Sequence, residues 1–468
     1  MTSEGVARHR GGRAILISTV AAIGGFLFGF DTAVINGAVD SIRAHFDLSS
    51  TATGLAVASA LVGSAVGAWF AGPVADRVGR VRVMVIASIV FAVSSIGAGC
   101  AVTVWDFTAW RVLGGIGVGI ASVIAPAYIA EVAPADLRGR LGSLQQLAIV
   151  LGIFVALLVD AFFARIAGGA GQTLWLGAAA WRWMFIAGLV PSIAYGVLAL
   201  QIPESPRYLI AKGKLEAAAT VLRQVLGDID IPGKIADIAA TMKSERPPSL
   251  RDLRGGKLGL LGIVWSGIAL SAFQQFVGIN VIFYYSTTLW HSVGLSESDA
   301  LLITVATSVT NVVVTLVAIA LVDKLGRRPL LLIGSAGMAV CLALMAFCFT
   351  HSVTVDGQVS LVAPYGTVAL IAANGYVVFF GLSWGPVVWV LLGEMFPNRI
   401  RAAALAVAAA AQWVANFAVS MSFPVLAGSV GLSVAYGMFA TFAVLSFGFV
   451  SRFIRETRGK ELEEMVAD

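Results

Sequence analysis

The sequence predicts an all-α membrane protein with twelve transmembrane helices in two six-helix pseudo-repeats and a short intracellular helical segment between them. Three observations carry that expectation. Of 468 residues, 58% are hydrophobic and 12% are charged, whereas a soluble globular chain carries about a quarter charged residues. The charges leave long uncharged stretches between them, and a pair of charged clusters recurs across the middle of the chain. A soluble enzyme and a nucleic-acid binder are both excluded, because such a composition cannot solvate a folded surface.

Residues 14–30, 48–75, 83–105, 112–130, 141–159 and 183–202 form the first set of uncharged stretches, and 258–296, 300–322, 329–355, 357–393 and 402–451 the second. A bilayer core needs roughly 20 apolar residues per helix. The last stretch is 50 residues long, with Pro424, Gly428 and Gly431 near its middle, so it holds two spans and a turn. The N-terminal apolar run continues into Asp31 and Asn36 rather than a cleavage site, so it reads as the first span and not as a signal peptide.

Net charge is +5, from 31 Lys and Arg against 26 Asp and Glu. With the N-terminus in the cytoplasm and sides alternating, only Arg43, Arg165 and Arg182 fall at outer loops, and Arg111 lies within a span. The other 27 of the 31 basic residues are then cytoplasmic, as the positive-inside bias requires. Both termini are expected inside, in a cell inner (plasma) membrane, and the basic excess is a topology signal rather than an anion site. Cys100, Cys341 and Cys348 lie in apolar runs and read as packing residues.

The polar stretch 203–257 divides the chain. The expected units are a six-helix bundle over 1–202, a linker with short helices over 203–257, a second bundle over 258–455 and a tail over 456–468. Within the linker, 215–226 has helical apolar spacing. Asp76, Gly79 and Arg80 recur as Asp323, Gly326 and Arg327, and Glu131 and Arg138 recur as Glu394 and Arg401. Such recurrence is what duplication of a six-span unit leaves behind. Gly63 with Gly67, and Gly115 with Gly119, have the four-residue spacing that lets helices approach closely. The glycines at 114–119 follow no strand and do not match a dinucleotide fingerprint. Without a P-loop or a His/Cys/carboxylate cluster, neither ATP coupling, metal chemistry nor a cofactor is expected, and the chain does not read as an enzyme.

Ionisable groups inside a bilayer cost about 2.5–3.5 kcal/mol on insertion scales. Asp31 lies roughly 25 Å up a first span that starts near Ala14, at 1.5 Å per residue. Arg111 lies near the start of a span that descends from the outer face. Similar depth makes an Asp31–Arg111 pair the economical reading, either as a static ion pair or as a proton site. Asp160 is a third intramembrane acid, read either as snorkelling outward or pairing with Arg165, or as part of proton transfer.

Seven amides also lie in spans: Gln146, Gln274, Gln275, Asn280, Asn311, Gln412 and Asn416, with Trp389 and Trp413. Amides offer donors and acceptors together, and indoles offer flat apolar platforms. Such a ring suits a neutral polyhydroxylated ligand such as a sugar; the alternative is that the amides only join helices.

Several segments carry a resemblance: GGFLFGFDTAVINGA at 24–38, DRVGR at 76–80, PAYIAEVAPADLRGR at 126–140, PESPR at 203–207, QQFVGIN at 274–280, LGEMFPNRIR at 392–401 and RETRGK at 455–460. In this order they resemble the sugar porter family of the major facilitator superfamily over nearly the whole chain, and most nearly the bacterial proton–xylose and proton–glucose symporters. The resemblance implies a monosaccharide and a proton as partners and alternating access in a lipid bilayer; no nucleic acid is expected, and the chain is expected to be a monomer. It implies that Gln146, Gln274, Gln275, Asn280, Asn311, Trp389, Gln412 and Asn416 contact sugar, and that Asp31 takes the proton while Arg111 answers to it. Asp76, Arg80, Glu131, Arg138, Asp323, Arg327, Glu394 and Arg401 are expected to gate the cytoplasmic side. Family members more usually carry a neutral residue where Asp160 stands. The alternatives are a uniporter in which Asp31 is structural, or a non-transporting sensor, which calls for a signalling tail longer than the dozen residues after Glu456.

Overall fold

Twelve helical stretches are long and apolar enough to cross a membrane. In the computed structural model, residues 3–133, 138–226, 230–244, 250–255, 259–291, 294–355, 358–397 and 400–457 are described. The first half holds α1 Ser3–Ala33, α2 Val39–His45, α3 Ser50–Val78, α4 Arg80–Cys100, α5 Val104–Val132, α6 Arg138–Ala167, α7 Ala180–Ala187 and α8 Leu189–Ala199. The segment between the halves carries α9 Pro206–Ala211, α10 Leu215–Leu226 and α11 Ile231–Ser244. The second half holds α12 Gly262–Phe276, α13 Ile279–His291, α14 Glu297–Leu325, α15 Arg327–Thr350, α16 Tyr365–Leu382, α17 Trp384–Met395, α18 Arg401–Ser429 and α19 Leu432–Phe453. The long uncharged stretch near the C-terminus is divided at Gly431, whose φ of 89° suits a residue without a side chain. Helix α10 buries Ala218, Val221, Leu222 and Val225, the face its apolar spacing selects.

One element was not expected from the sequence. Ser352–Val355 and Gln358–Leu361 pair antiparallel as β1 and β2, in register from Ser352 opposite Leu361 to Val355 opposite Gln358. Alternating Val and Thr or Ser favours strand over helix in this short polar connection.

Three spans are divided among the described residues: the sixth at Gly188, whose backbone stays near helical at φ −59° and ψ −17°, and the seventh and tenth at sharper breaks in mid-membrane. Between α12 and α13, Gly278 takes φ 88°, and a Cβ there would lie 2.7 Å from the Phe439 ring. Between α16 and α17, Ser383 departs from helical geometry at φ −133° and ψ −84°. Non-helical backbone at membrane depth needs internal partners. Tyr376 supplies one, its hydroxyl donating to the Val277 carbonyl at 2.8 Å.

Glycines set a very close helix contact in the first half. A Cβ on Gly63 would sit 1.9 Å from the Val112 carbonyl oxygen, and one on Gly115 would sit 2.0 Å from that of Ala60. The α3 and α5 backbones therefore touch through reciprocal glycines, Gly67 and Gly119 extending the seam. Overpacking costs about 1–3 kcal/mol, occasionally more. Gly115→Val, which drives a side chain into backbone, is expected at or above the upper end of that range, read as a lowered melting temperature of the detergent-solubilised protein.

Candidate functional site

The ends of α3, α5 and α17, and the starts of α4, α6, α15 and α18, share one face, the basic face of the protein. Asp31 lies near the far end of α1, and Arg111 two turns into α5, towards the opposite face. Both are almost fully buried, at 4% and 2% exposure. Arg111 Nη1 donates to Asp31 Oδ1 at 2.5 Å and Nη2 donates to the Asp31 carbonyl at 3.2 Å. The guanidinium also lies over the Phe185 ring, 5.6 Å from its centre. Asp31 Oδ2 and Arg111 Nε have no hydrogen-bond partner among the described residues. The pair is thus charge-matched but incompletely bonded, an arrangement whose energy depends strongly on the charge state.

Asp160 neither snorkels nor pairs with Arg165. It is completely buried, and its Oδ2 accepts the Gly37 N–H at 3.1 Å, while Arg165 is exposed. The reason is steric as well as polar: Gly37 packs so closely that a Cβ there would lie 2.6 Å from Asp160 Cβ.

Four of the amides, Gln274, Gln275, Asn280 and Asn311, lie at the two sharp helix breaks. Gln274 Nε2 donates to the carbonyls of Trp384 at 2.8 Å and Gly385 at 3.3 Å, tying the end of α12 to the start of α17. Its Oε1 is buried without a partner among the described residues. Asn280 Nδ2 donates to Gln275 Oε1 at 2.5 Å across the first break. On α18, Gln412 Oε1 is likewise unpartnered, and Asn416 accepts the Ser420 hydroxyl and bonds the Tyr284 side chain. Asn311 is buried on α14, beside Gly381, where a Cβ would approach its Oδ1 to 3.2 Å. Gln146 is half-buried on α6, and Trp389 keeps 42% of its surface exposed, unlike the structural Trp384, whose Nε1 donates to Leu331 and Ser335. Trp413 faces Phe28 of the other half, ring centres 5.5 Å apart. A buried amide oxygen left without a partner costs about 1–3 kcal/mol, so Gln274 and Gln412 present acceptors that a hydroxylated ligand would satisfy. No three metal-ligating side chains converge among the described residues.

At the basic face, Arg80 on α4 reaches Glu131 on α5 with both Nε and Nη2, at 3.1 and 2.9 Å, and Asp76 on α3 at 3.0 Å. Arg327 reaches Glu394 in the same fork, at 3.0 and 2.7 Å. These pairs each lie within one half. Arg401 Nε donates to the Phe396 carbonyl at 3.1 Å; the side chains of Arg138 and Asp323 lie outside the described residues.

Sequence reasoning missed two glutamates here. Glu204 Oε1 accepts the N–H of Arg80 at 2.9 Å, and Glu456 Oε1 accepts that of Arg327 at 2.9 Å, each capping the first turn of a helix. Gly79 and Gly326, at φ 102° and 93°, give those carboxylates room: a Cβ would come within 2.3 and 2.7 Å of them. The available signal was a Glu followed by a hydroxyl residue in both PESPR and RETRGK.

It also missed Asn36. At the opposite face its Nδ2 donates to the Phe283 carbonyl at 2.9 Å and to Ser286 Oγ at 2.6 Å, and its Oδ1 accepts from Thr287. Asp40 accepts from Thr288 Oγ1 at 2.9 Å and lies 3.4 Å from His291, and Glu297 accepts the Ala170 N–H at 2.7 Å. These bonds join the two halves away from the basic face.

A twelve-helix carrier of the major facilitator fold is the class that this architecture defines. A family profile described as "Sugar (and other) transporter" matches residues 17–468, and the chain belongs to that family. The "Glucose transport protein" of Synechocystis sp. is 60% identical over 452 residues, covering 96% of each chain. The "D-xylose-proton symporter" of Escherichia coli K12 is 39% identical over 483 residues, covering 96% of this chain and 94% of the relative. A solved structure of the xylose transporter XylE from E. coli, in a partially occluded inward open conformation, superposes with a TM-score of 0.83 at 37% identity, covering 96% of this chain and all of that one.

Breaking a buried ion pair by removing one partner costs about 3–5 kcal/mol. Arg111→Ala is expected to lose that much, as a fall in melting temperature, and Asp31→Asn combined with Arg111→Met to recover most of it. A double variant no more stable than the single would count against a charge-matched pair.

Proposed function

We propose that the protein is a proton-coupled symporter that imports a monosaccharide, hexose or pentose, by alternating access across the cell inner membrane, with both termini and the basic face in the cytoplasm. The observation that carries the reading is the buried Asp31–Arg111 contact between α1 and α5, an intramembrane acid held by one cation. Protonation of Asp31 from outside releases Arg111 and lets the helices rearrange around bound sugar; proton loss to the cytoplasm restores the pair. The proton-linked name of the E. coli relative supports this coupling.

Gln146, Gln274, Gln275, Asn280, Asn311, Gln412 and Asn416 contact the sugar hydroxyls, and Trp389 stacks on the ring. The unpartnered acceptors on Gln274 and Gln412 support that assignment. The bundles 1–202 and 258–455 rock against each other, joined through 203–257. In this orientation Asn36 and Asp40 hold the outer side closed, and the arginine–glutamate clusters stiffen the inner end of each half. Asp76, Arg80, Glu131 and Arg138, with Asp323, Arg327, Glu394 and Arg401, close the cytoplasmic side when the halves rock the other way.

Uptake of radiolabelled glucose and xylose into proteoliposomes, with and without an inward proton gradient, tests the reading. Accumulation driven by the gradient is expected from wild type and is lost in Asp31→Asn, which still binds sugar; uptake indifferent to the gradient in wild type would make the protein a uniporter. Gln275→Ala removes a hydrogen bond worth about 1–3 kcal/mol in a buried site and is expected to weaken sugar binding about tenfold or more by calorimetry. Wild-type affinity in that variant would remove Gln275 from the site.

A further inference from the structure

Among the described residues, Asp160 is the fully buried acid deep in a span that the proton coupling does not use. It lies in α6, fully buried, and its surroundings are those of a neutral group. Oδ2 takes a single backbone N–H from Gly37, and Oδ1 has no partner among the described residues. The charged groups of the surrounding elements are engaged elsewhere or face solvent. Asp31 on α1 holds Arg111; Asp40 on α2 faces Thr288 and His291 of α13; and Glu297 on α14 accepts from Ala170. Arg182 on α7 donates to the carbonyls of Gly99 and Ala101 and lies beside His45 of α2, while Arg43 on α2 and Arg165 on α6 are exposed. A carboxylate charge in this position would be buried without a cation, which is far costlier than a buried neutral carboxyl.

What Asp160 touches gives that proton a consequence. Gly37 is the neighbour of Asn36, whose side chain bonds Phe283, Ser286 and Thr287 across the halves. The Gly37 backbone packs directly against the Asp160 side chain. A change in the carboxyl therefore acts on the turn that joins the two halves.

We propose that Asp160 is a second proton-titrating residue of the transport cycle, distinct from Asp31: protonated, it seats the 34–38 turn and keeps this face closed, and ionised, it unseats the turn and lets the face open. The step is a proton exchange between the Asp160 carboxyl and water, with no other bond made or broken. The proposal rests on the alternating-access reading, but its readout is conformation rather than uptake. The sign follows from linkage: the closed form is the one that holds the proton, so its advantage is complete at low pH and declines as pH rises through the pKa of Asp160 in the closed state.

The test uses the full chain in nanodiscs, lacking its three native cysteines, with spin labels on Asp47→Cys and Ser298→Cys across the junction. An Asp31→Asn background removes the other intramembrane acid. There the closed-to-open ratio is expected to fall with rising pH by up to about tenfold per unit, the limit for one linked proton. Adding Asp160→Asn, which keeps an oxygen for the Gly37 N–H but cannot ionise, is expected to abolish that dependence and leave the closed form dominant. Asp160→Ser serves as the second variant should the amide fail to fold, with the same flat profile expected. A pH response that survives both changes, or none in the Asp31→Asn background, overturns the proposal. Gradient-independent uptake by wild type would instead sink the symport reading and leave the distance result to stand on its own.

Discussion

Hydrocarbon cannot hydrogen-bond, so every peptide group inside the membrane must find its partner within the protein. Where the helices are continuous this condition is met within each helix, and side chains are free to pack. Where they break, at Gly278, at Ser383 and in the 34–38 turn, side chains take over. Tyr376 serves the Val277 carbonyl, Gln274 serves those of Trp384 and Gly385, and Asp160 serves the Gly37 N–H. The polar groups that distinguish this interior are therefore concentrated where the backbone needs them. The same amides that hold the breaks together leave their second atoms over, as Gln274 Oε1 does. Support for the fold and capacity to bind a ligand are two uses of one side chain.

Duplication explains why the basic face is built twice from the same parts. Each half ends a helix at a glycine of positive φ, starts the next with an arginine that forks onto a glutamate, and caps that start with a second glutamate from a later segment. The arginine also returns to the preceding helix, Arg80 to the Ala75 carbonyl and Arg327 to that of Val322, both at 3.2 Å. Exposed ion pairs contribute about 0–1 kcal/mol each; here the forked geometry and shared acceptors make the cluster act as a brace across three helices. At the opposite face the two halves meet each other, through Asn36, Asp40 and Glu297.

Much of this was legible in the sequence because membrane depth is arithmetic. Counting residues from the start of a span put Asp31 and Arg111 level with each other, and the glycine spacings at 63, 67, 115 and 119 marked the seam between α3 and α5. Both signals lie in side-chain identity at fixed helical periods. The breaks in the seventh and tenth spans were not legible, because a broken apolar helix has the same composition as an intact one. Nor was the partner of Asp160: a search for cations finds Arg165, whereas the structure uses a backbone N–H. Glu204 and Glu456 stand in the PESPR and RETRGK segments, but their capping role was not legible, since a helix start shows its need for a cap only once the chain is folded back upon it.

The placement of those two caps also sets an order on biosynthesis. Glu204 is made well before residue 258, so the start of α4 has its carboxylate in hand before any span of the second half exists. The start of α15 must wait for Glu456, which follows the last span. The first bundle can therefore be locked at its basic end before the second is made, whereas the second stays unlocked at α15 until its last span, α19, has been made. A membrane insertase would meet two halves of like architecture but unlike timing, the later one depending on a residue made after all of its own spans.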